Sequence, residues 1–415
     1  MTTKSVLIQD LRVGMYVAKL DVSWFRSPFL RHAFLIEHEH QIDKLRRTGV
    51  THVVIDLARG VDVADTSQTD RPDDPTVTPI HIVTPLPIEQ PKPLAQLNEE
   101  YAQAKVARKQ LEQTVHNLYA RISEQGTVDP RLAAEAVQEV TIVARTLPNS
   151  AIFMALSQQR GGDSSLSRHA LSVCTLSLVV GQSFGYNPLE LNELATAALL
   201  HDIGLIHLPP SIIRQSANTS RPLSDRDRQT FESHPRTGVL LLEKHGRFET
   251  KMLQLIGEHH VRLDDSGYPK GTRGEFTSER SRILMIADYY DELITGFGGA
   301  SPLAPHQALQ RLYREAQDGA LDGTILSRFI RLVGIYPVHS RVRLNTQERA
   351  VVTQLNPSTL HQPVVTVTHV PSGEPSTDPL VIDLAHQVDV TPERAIDTVL
   401  DDAGVPHSGH AQRAA

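Results

Sequence analysis

One stretch constrains this chain more than any other, namely residues Ala197–Ile213, which read AALLHDIGLIHLPPSII. An apolar run from Leu194 to Leu200 ends there in a histidine and an aspartate, His201 and Asp202. Buried polar groups without partners are costly, so a buried helix that ends in this pair needs a compensating interaction. A bound metal ion supplies one, because it neutralises the carboxylate and occupies an imidazole nitrogen. A His–Asp hydrogen bond at the helix end, without metal, is the alternative.

Length and charge set the broad class of the protein. A chain of 415 residues is too long for one ordinary core, so two or three domains are expected. The net charge of −7 argues against a broad basic surface for DNA or RNA. The single cysteine, Cys174, fits a reducing compartment. Because neither a signal-peptide core nor a membrane span is evident, we expect a cytoplasmic protein.

The first part of the chain predicts a small α/β module over residues 1–65. Its expected strands are Val6–Ile8, Met15–Leu20, Ala33–Ile36 and Val53–Leu57, with a helix at His40–Arg47. Residues 66–93 are rich in proline, which prevents a continuous helix and favours an extended linker.

Residues 94–150 predict a helical connector of two helices, the second starting at Pro130. The first helix carries a seam with alternating steps of four and three residues. The seam consists of Leu97, Tyr101, Ala104, Leu111, Val115, Leu118 and Ile122, with Arg108 in the one gap. This repeat predicts a narrow buried stripe. The stripe packs either on its own domain or in a parallel coiled coil, which would join a homodimer through residues 97–122.

Residues 151–337 have the pattern of an all-α domain, because helical segments follow one another with few strands between them. The segments are 152–159, 166–184, 189–200, 225–244, 252–260, 281–295, 305–317 and 325–333. Residues 338–385 change to strands at 342–344, 350–355 and 363–369, which predicts a small β appendage. The tail 386–415 is expected to be weakly ordered, with a weak helix after about residue 387.

Further metal-ligand residues lie at the ends of apolar helical runs in the α domain. They are His169, His234, His259, His260 and Asp288. Consecutive helical residues project about 100° apart, so an adjacent pair reaches ligand positions on two neighbouring ions. Together with His201 and Asp202 the set exceeds the ligands of one tetrahedral zinc and suits a dinuclear site with bridging oxygens. Each histidine taken alone is more often structural, and the chain has 20 of them.

The order H…HD…H…HH…GYP…D resembles the HD-GYP family of bacterial phosphodiesterases, a branch of the HD-domain metallohydrolases. It occurs here as SRHALSV, LLHDIGLIHLP, ESHPRTG, EHHVRLDDSGYPKGTRGE and RILMIADYYDEL. Residues 5 to about 65 resemble the uncharacterised module that often precedes such domains. The resemblance implies an all-α HD-type helical metallohydrolase domain. Its implied metal ligands are His169, His201, Asp202, His234, His259, His260 and Asp288, with Asp202 bridging.

The resemblance also implies an activity, since family members cleave cyclic di-GMP to the linear dinucleotide or to GMP. His201 and Asp202 are the implied catalytic pair, acting through a metal-activated hydroxide. Two divalent metal ions are expected and not three, because Ser165 replaces the glutamate that supports a third metal in some relatives. Iron and manganese are the favoured metals. The implied substrate contacts are Gly267, Tyr268 and Pro269 in the SGYP turn.

Several cations of the family pattern are absent from this chain. The lysine of HDIGK is Leu205, and the later arginine and lysine fall on Phe297 and Ala300. A charged hydrogen bond is worth about 1.5–3 kcal/mol, so substrate binding is expected to weaken more than metal binding. The residues that could compensate are Lys270, Arg273 and Arg282. A weakened signalling module that binds a nucleotide or a partner protein is therefore the alternative function, and hydrolysis of another phosphoester is a third.

Overall fold

The structure is a computed structural model and describes most of the chain. The described residues are 3–20, 34–36, 39–46, 52–61, 92–156, 166–209, 211–213, 223–245, 248–297, 302–356, 359–387, 392–400 and 404. Most of the predicted linker 66–93, Ser165, Ala300 and residues 405–415 lie outside them. The chain divides into two compact units, Met1–Gln90 with Asn356–Gln362, and Pro91–Leu355 with Pro363–Ala415.

The first unit contains a four-stranded antiparallel sheet in the order β1-β4-β2-β3. Its elements are β1 (Thr3–Leu7), β2 (Tyr16–Leu20), β3 (Phe34–Leu35), helix α1 (Glu39–Arg46) and β4 (His52–Asp56). Alternate residues of β4, Val53 and Ile55, are buried, as expected when one face of a sheet covers a core. Ile42 and Leu45 of α1 complete that core. The predicted small strand module is confirmed.

The second unit is mainly helical, which confirms the predicted fold class. Its helices are α2 (Leu94–Gln125), α3 (Pro130–Thr146), α4 (Pro148–Leu156), α5 (Leu166–Ser183), α6 (Pro188–Leu200), α7 (Asp225–Glu232), α8 (His234–His245), α9 (Thr250–Glu258), α10 (Glu279–Thr295), α11 (Pro305–Gln317) and α12 (Gly323–Val333). Local sequence fixes several starts: Asn187 and Glu190 form a capping box before α6, and Ser278 caps α10. Within the described residues, none of these helices is long and apolar enough to cross a membrane.

The seam of α2 is buried within its own unit. Helix α2 packs against α3, α4 and α5, and seven of the eight predicted seam residues, all but Tyr101, are among its buried side chains. The polar seam residue Arg108 donates to Ser172 Oγ of α5 at 3.1 Å and pairs with Glu112. Tyr119 donates to the carbonyl of Leu199 at the end of α6. Of the two alternatives, packing on the chain's own domain is therefore the one observed, and a coiled coil through this seam would require it to open.

The single helix predicted over 225–244 is wrong, because the structure breaks it at Ser233 into α7 and α8. Pro235 has no backbone N–H, and its ring would collide with the carbonyl four residues earlier in a continuous helix. The break makes His234 the first residue of α8.

The C-terminal residues form a second antiparallel sheet in the order β8-β7-β6-β5-β9. Its strands are β5 (Arg341–Leu344), β6 (Arg349–Gln354), β7 (Val364–His369), β8 (Val381–Asp383) and β9 (Ile396–Leu400). The weak helix predicted after residue 387 is wrong, since β9 pairs with β5 along Arg341–Leu344. The pairing with a strand about 50 residues earlier in the chain, together with the Arg343–Asp397 ion pair, outweighs the local helical preference of this segment.

Candidate metal centre

Five helices of the second unit contribute residues to one point. His169 comes from α5, His201 and Asp202 follow α6, His234 begins α8, His259 and His260 follow α9, and Asp288 lies in α10. Ligand atoms of all seven residues fall into groups whose members lie within 4.8 Å of one another. The structure therefore brings the whole predicted ligand set together.

The two oxygens of Asp202 face two different pairs of histidines. Its Oδ1 lies 2.9 Å from His234 Nε2 and 3.5 Å from His259 Nε2. Its Oδ2 lies 3.6 Å from His169 Nε2 and 3.5 Å from His201 Nε2. A carboxylate placed between two sets of nitrogens has the geometry of a bridging ligand.

Asp288 closes the centre from the side of α10. Its Oδ1 lies 3.0 Å from His169 Nε2 and 3.4 Å from His201 Nε2, and its Oδ2 lies 3.6 Å from His260 Nδ1. Asp288 is 1% exposed, so this charge is removed from bulk water. The surrounding histidines are the groups that compensate the negative charges of Asp202 and Asp288.

Hydrogen bonds through Nδ1 orient four of the histidines. The Nδ1 atoms of His201, His234 and His259 lie 2.6–2.8 Å from the carbonyls of Ala198, Phe231 and Ile256, three residues earlier in each case. That of His169 lies 2.7 Å from Asp291 Oδ2. Because Nδ1 donates outward, the neutral ring presents an unprotonated Nε2 to the centre, as a metal ligand requires.

This arrangement fits a metal centre better than it fits a set of hydrogen bonds. Asp202 Oδ1 and both oxygens of Asp288 are buried and accept no hydrogen bond from the described residues. The Nε2 atoms of His169 and His201 are 3.1 Å apart, and those of His234 and His259 are 3.2 Å apart. Lone pairs and carboxylates that face one another in a buried place repel unless a positive charge lies among them. Divalent cations match this donor set of imidazole and carboxylate.

The pKa values of the ligand residues also indicate that the centre requires positive charge. Burial alone would lower the pKa of His169, but the carboxylates of Asp288 and Asp291, one beside each ring nitrogen, raise that pKa to about 10. Burial would raise the pKa of Asp202, yet His201 and His234 hold it well below its usual range. Protons therefore take the place of cations in the metal-free chain, and metal binding must release them.

Two glycines allow backbones to approach closely around the centre. A Cβ on Gly204 would lie 2.1 Å from the carbonyl oxygen of His234, so glycine lets the turn after Asp202 pack on the start of α8. A Cβ on Gly267 would lie 2.1 Å from the carbonyl oxygen of His260. The predicted substrate loop is thereby held against the paired histidines, where the Tyr268 ring lies 4.4 Å from the His260 ring. Pro269 follows in the same loop.

Two acidic residues near the centre were not predicted from the sequence. Asp291 is fully buried and orients His169, and Glu292 lies in a group with His260 and Asp288. Both follow Asp288 by about one helical turn, on the same face of α10. That spacing was the available signal, although acidic residues at this spacing are usually solvated.

Replacing Asp291 with asparagine is expected to lower metal affinity by about 10–100-fold, because the ring of His169 loses its charged partner. Metal titration of the apo protein with a competing indicator measures the effect. Asp318→Asn, an exposed position after α11, is the matched control and should bind as the wild type does. Equal affinity of Asp291→Asn and wild type would contradict the orienting role.

The residues at the missing cation positions are apolar and packed. Leu205 is buried, and Phe297 stacks on His169 with ring centroids 4.1 Å apart. The three cationic side chains that were expected to compensate for the missing phosphate contacts already interact with neighbouring residues. Lys270 donates to the carbonyl of Ser266, Arg273 pairs with Glu275, and Arg282 pairs with Asp322.

Comparison with protein families identifies the helical region. A family model described as an HD domain matches residues 154–325. Over these residues the chain is similar to HD domains. A second model, a domain of unknown function (DUF3391), matches residues 3–133, which extends from the sheet of the first unit through α2 into α3. The resemblance drawn from the sequence motifs is confirmed.

Curated relatives of the HD domain are named phosphodiesterases. The cyclic di-GMP phosphodiesterase PA4108 of Pseudomonas aeruginosa is 26% identical over 88% of this chain and 84% of its own length. The response regulator RpfG of Xanthomonas campestris, also a cyclic di-GMP phosphodiesterase, is 31% identical over 41% of this chain. A 3'3'-cGAMP-specific phosphodiesterase of Vibrio cholerae is 24% identical over 40% of this chain. The chain spans 43% and 37% of the length of the last two, respectively.

Proposed function

We propose that the HD domain hydrolyses a phosphodiester bond of cyclic di-GMP, giving the linear dinucleotide or GMP, with two divalent cations as cofactors. Iron and manganese are the favoured metals, because imidazole and carboxylate ligands suit both. The names of the relatives support this substrate and reaction class. A cytoplasmic location and a signalling-protein partner stay predictions.

One observation carries the proposal: each oxygen of Asp202 faces a different pair of inward-facing histidine Nε2 atoms. A mononuclear structural site would not need two such pairs on either side of one carboxylate. In this proposal His234 and His259 hold one cation, and His169, His201 and Asp288 hold the other. His260 lies in one group with Asp202, His234 and His259 and would complete the first of these positions.

The chain's own residues set up the reaction by position and charge. Divalent cations in such a pair supply Lewis acidity, which polarises a phosphoryl oxygen and lowers the pKa of water toward neutrality. Asp202 would hold both cations, because each of its oxygens faces a different pair of histidine nitrogens. His201, anchored on Ala198, keeps its Nε2 aimed at the centre and does not itself need to carry a proton.

The loop of Gly267, Tyr268 and Pro269 is proposed to border the substrate. The Tyr268 ring packs on His260 and lies 6.0 Å from the ring of His234. An aromatic face at the edge of a metal centre suits stacking on a nucleobase, which would direct the phosphate toward the residues that hold the cations.

A second candidate function follows from the apolar residues around the centre. Leu205 is 2% exposed and Phe297 covers one face of His169, so neither position offers a charge to phosphate. With weakened phosphate binding, the domain would act as a metal-holding signalling module that binds a nucleotide or a partner protein without turnover.

Product analysis separates these candidates. The full chain, loaded with manganese or iron, is incubated with cyclic di-GMP, 3'3'-cGAMP and cyclic di-AMP, and the products are resolved by liquid chromatography. We expect linear dinucleotide or GMP from cyclic di-GMP, and more slowly from the other two. Binding of cyclic di-GMP by calorimetry without any product would instead favour the signalling module, and turnover of another dinucleotide alone would change the substrate.

A further inference from the structure

A polar side chain of helix α2 reaches the helix that presents His169. Arg108 is buried and lies in the otherwise largely apolar stripe of α2. Its guanidinium donates to Ser172 Oγ at 3.1 Å, and Ser172 follows His169 by three residues, on the same side of α5. Burying a charge costs free energy that an apolar residue at this position would not, so we expect Arg108 to have a role besides packing.

Arg108 also acts on the carboxylate behind His169. Asp291 is buried, and its Oδ2 lies 2.7 Å from His169 Nδ1. Its other oxygen, Oδ1, accepts no hydrogen bond from the described residues. Burial raises the pKa of Asp291, whereas the neighbouring His169 and the positive charge of Arg108 oppose that rise. Arg108 therefore compensates a buried negative charge that orients the ring of His169.

A second side chain of the same stripe reaches the helix that leads into His201. Tyr119 is buried, and its hydroxyl donates to the carbonyl of Leu199 at 2.7 Å. Leu199 lies in the last turn of α6, where carbonyls have no N–H partner within the helix. The preceding carbonyl, that of Ala198, lies 2.7 Å from Nδ1 of His201. Tyr119 thus fixes the helix end from which His201 and Asp202 follow.

The two contacts serve the same one of the two proposed cation positions. Arg108 and Tyr119 are eleven residues, or about three turns, apart on one side of α2. They support His169 and His201, the two histidines that share one cation position in the proposed centre. The two histidines of the other position are anchored on carbonyls three residues earlier in the chain. The stripe of α2 is therefore connected to one side of the centre.

We infer that α2 positions the histidines of this one cation position, with Arg108 and Tyr119 as the positioning residues. The inference rests on the proposed metal centre and makes that centre depend on a helix outside residues 154–325, which the HD-domain model matches. Helix α2 lies instead within residues 3–133, which the model of the domain of unknown function matches. A displacement of α2 along its axis would break both contacts together and lower the occupancy of this position. The region of unknown function would thereby control the metal content of the HD domain.

Manganese binding by full-length variants tests the inference without reference to activity. Bound manganese per chain is measured by equilibrium dialysis and mass spectrometry of the metal, at a temperature where circular dichroism shows that every variant is folded. Tyr119→Phe removes one hydroxyl, and Arg108→Gln removes one charge. We expect wild type to bind two manganese ions, and each variant to bind one of the two about 10-fold more weakly, as is usual when a partner of a metal ligand is lost. The other ion should retain its wild-type affinity.

Two controls match these substitutions. Tyr290→Phe removes a buried hydroxyl that has no hydrogen-bond partner among the described residues. Arg121→Gln removes a charge from an exposed position of α2. Both controls should bind manganese as the wild type does. Arg108→Lys, which restores the charge, should recover part of the affinity that Arg108→Gln loses.

Wild-type affinity for both manganese ions in Tyr119→Phe and Arg108→Gln overturns the inference and leaves the proposed centre standing. An equal loss at both ions also overturns it, since that result indicates a general destabilisation of the fold. A wild type that binds no manganese overturns the proposed centre and the inference together. If Arg108→Gln does not fold, Tyr119→Phe decides the question, because it deletes a single oxygen atom.

Discussion

Replacing Asp202 with asparagine is expected to reduce hydrolysis of cyclic di-GMP by about 10³-fold or more. Both oxygens of Asp202 face histidine nitrogens, and the residue is 3% exposed. An amide keeps one of those oxygens, replaces the other by an NH₂ group and removes the negative charge, so it cannot bridge two cations. Metal content should fall together with the rate, and steady-state kinetics combined with mass spectrometry of bound metal measures both.

The matched control for this substitution is Asp318→Asn, which removes one carboxylate at an exposed position and should retain wild-type kinetics. Circular dichroism confirms that each variant is folded. Should Asp202→Asn retain both its metal and its rate, the assignment of Asp202 as the bridging ligand would be wrong, whatever the activity of the wild type.

Local chemistry in the sequence was enough to predict most of the helices. Asn187 and Ser224 mark helix starts because their side chains accept hydrogen bonds from backbone N–H groups that have no partner in the helix. Gly296, at φ 77°, ends α10 because glycine adopts the left-handed conformation at little cost. Signals of this kind depend on three or four neighbouring residues, so they can be recognised in the sequence without knowledge of the fold.

The errors arose where distant contacts decide the structure. β9 is a strand because β5 offers it a partner about 50 residues earlier, which no local window can show. The repeat of α2 predicted that one face is buried, but it could not say whether the chain's own helices or a second subunit cover that face. Pro235, by contrast, was a local signal for the break before α8.

The candidate site shows the same division between local and tertiary information. The metal-ligand residues could be proposed from the sequence because histidines at the ends of apolar runs are chemically unusual. Asp291 and Glu292 could not, because acidic residues in a helix are normally solvated. Their position is set by the packing of α10 against α5 and α9, which places one carboxylate beside His169 and the other beside His260. Sequence patterns thus identify ligand types, and packing identifies the residues that orient or extend them.

Removing the metal with a chelator is expected to abolish hydrolysis and to lower the melting temperature of the helical unit. A ligand present at about 1,000 times its dissociation constant stabilises the folded state by about 4 kcal/mol, and a unit of this size shifts by about 2–4 °C per kcal/mol, so the loss should be roughly 8–16 °C. The buried carboxylates Asp202 and Asp288 are then compensated by protons alone. Calorimetric scans with and without chelator measure the shift, and returning manganese should restore both properties.

The metal affinity of the centre is expected to depend on pH. The neighbouring carboxylates of Asp288 and Asp291 outweigh burial and raise the pKa of His169 to about 10, so the metal-free chain is expected to hold a proton there at neutral pH. A cation must displace that proton, so the metal affinity should rise from pH 6 to pH 8 and continue to rise toward about pH 10. Asp202→Asn serves as the control, because its melting temperature should respond little to chelator at either pH. Full hydrolysis by the chelated wild type would show that the phosphodiesterase reaction does not use this centre.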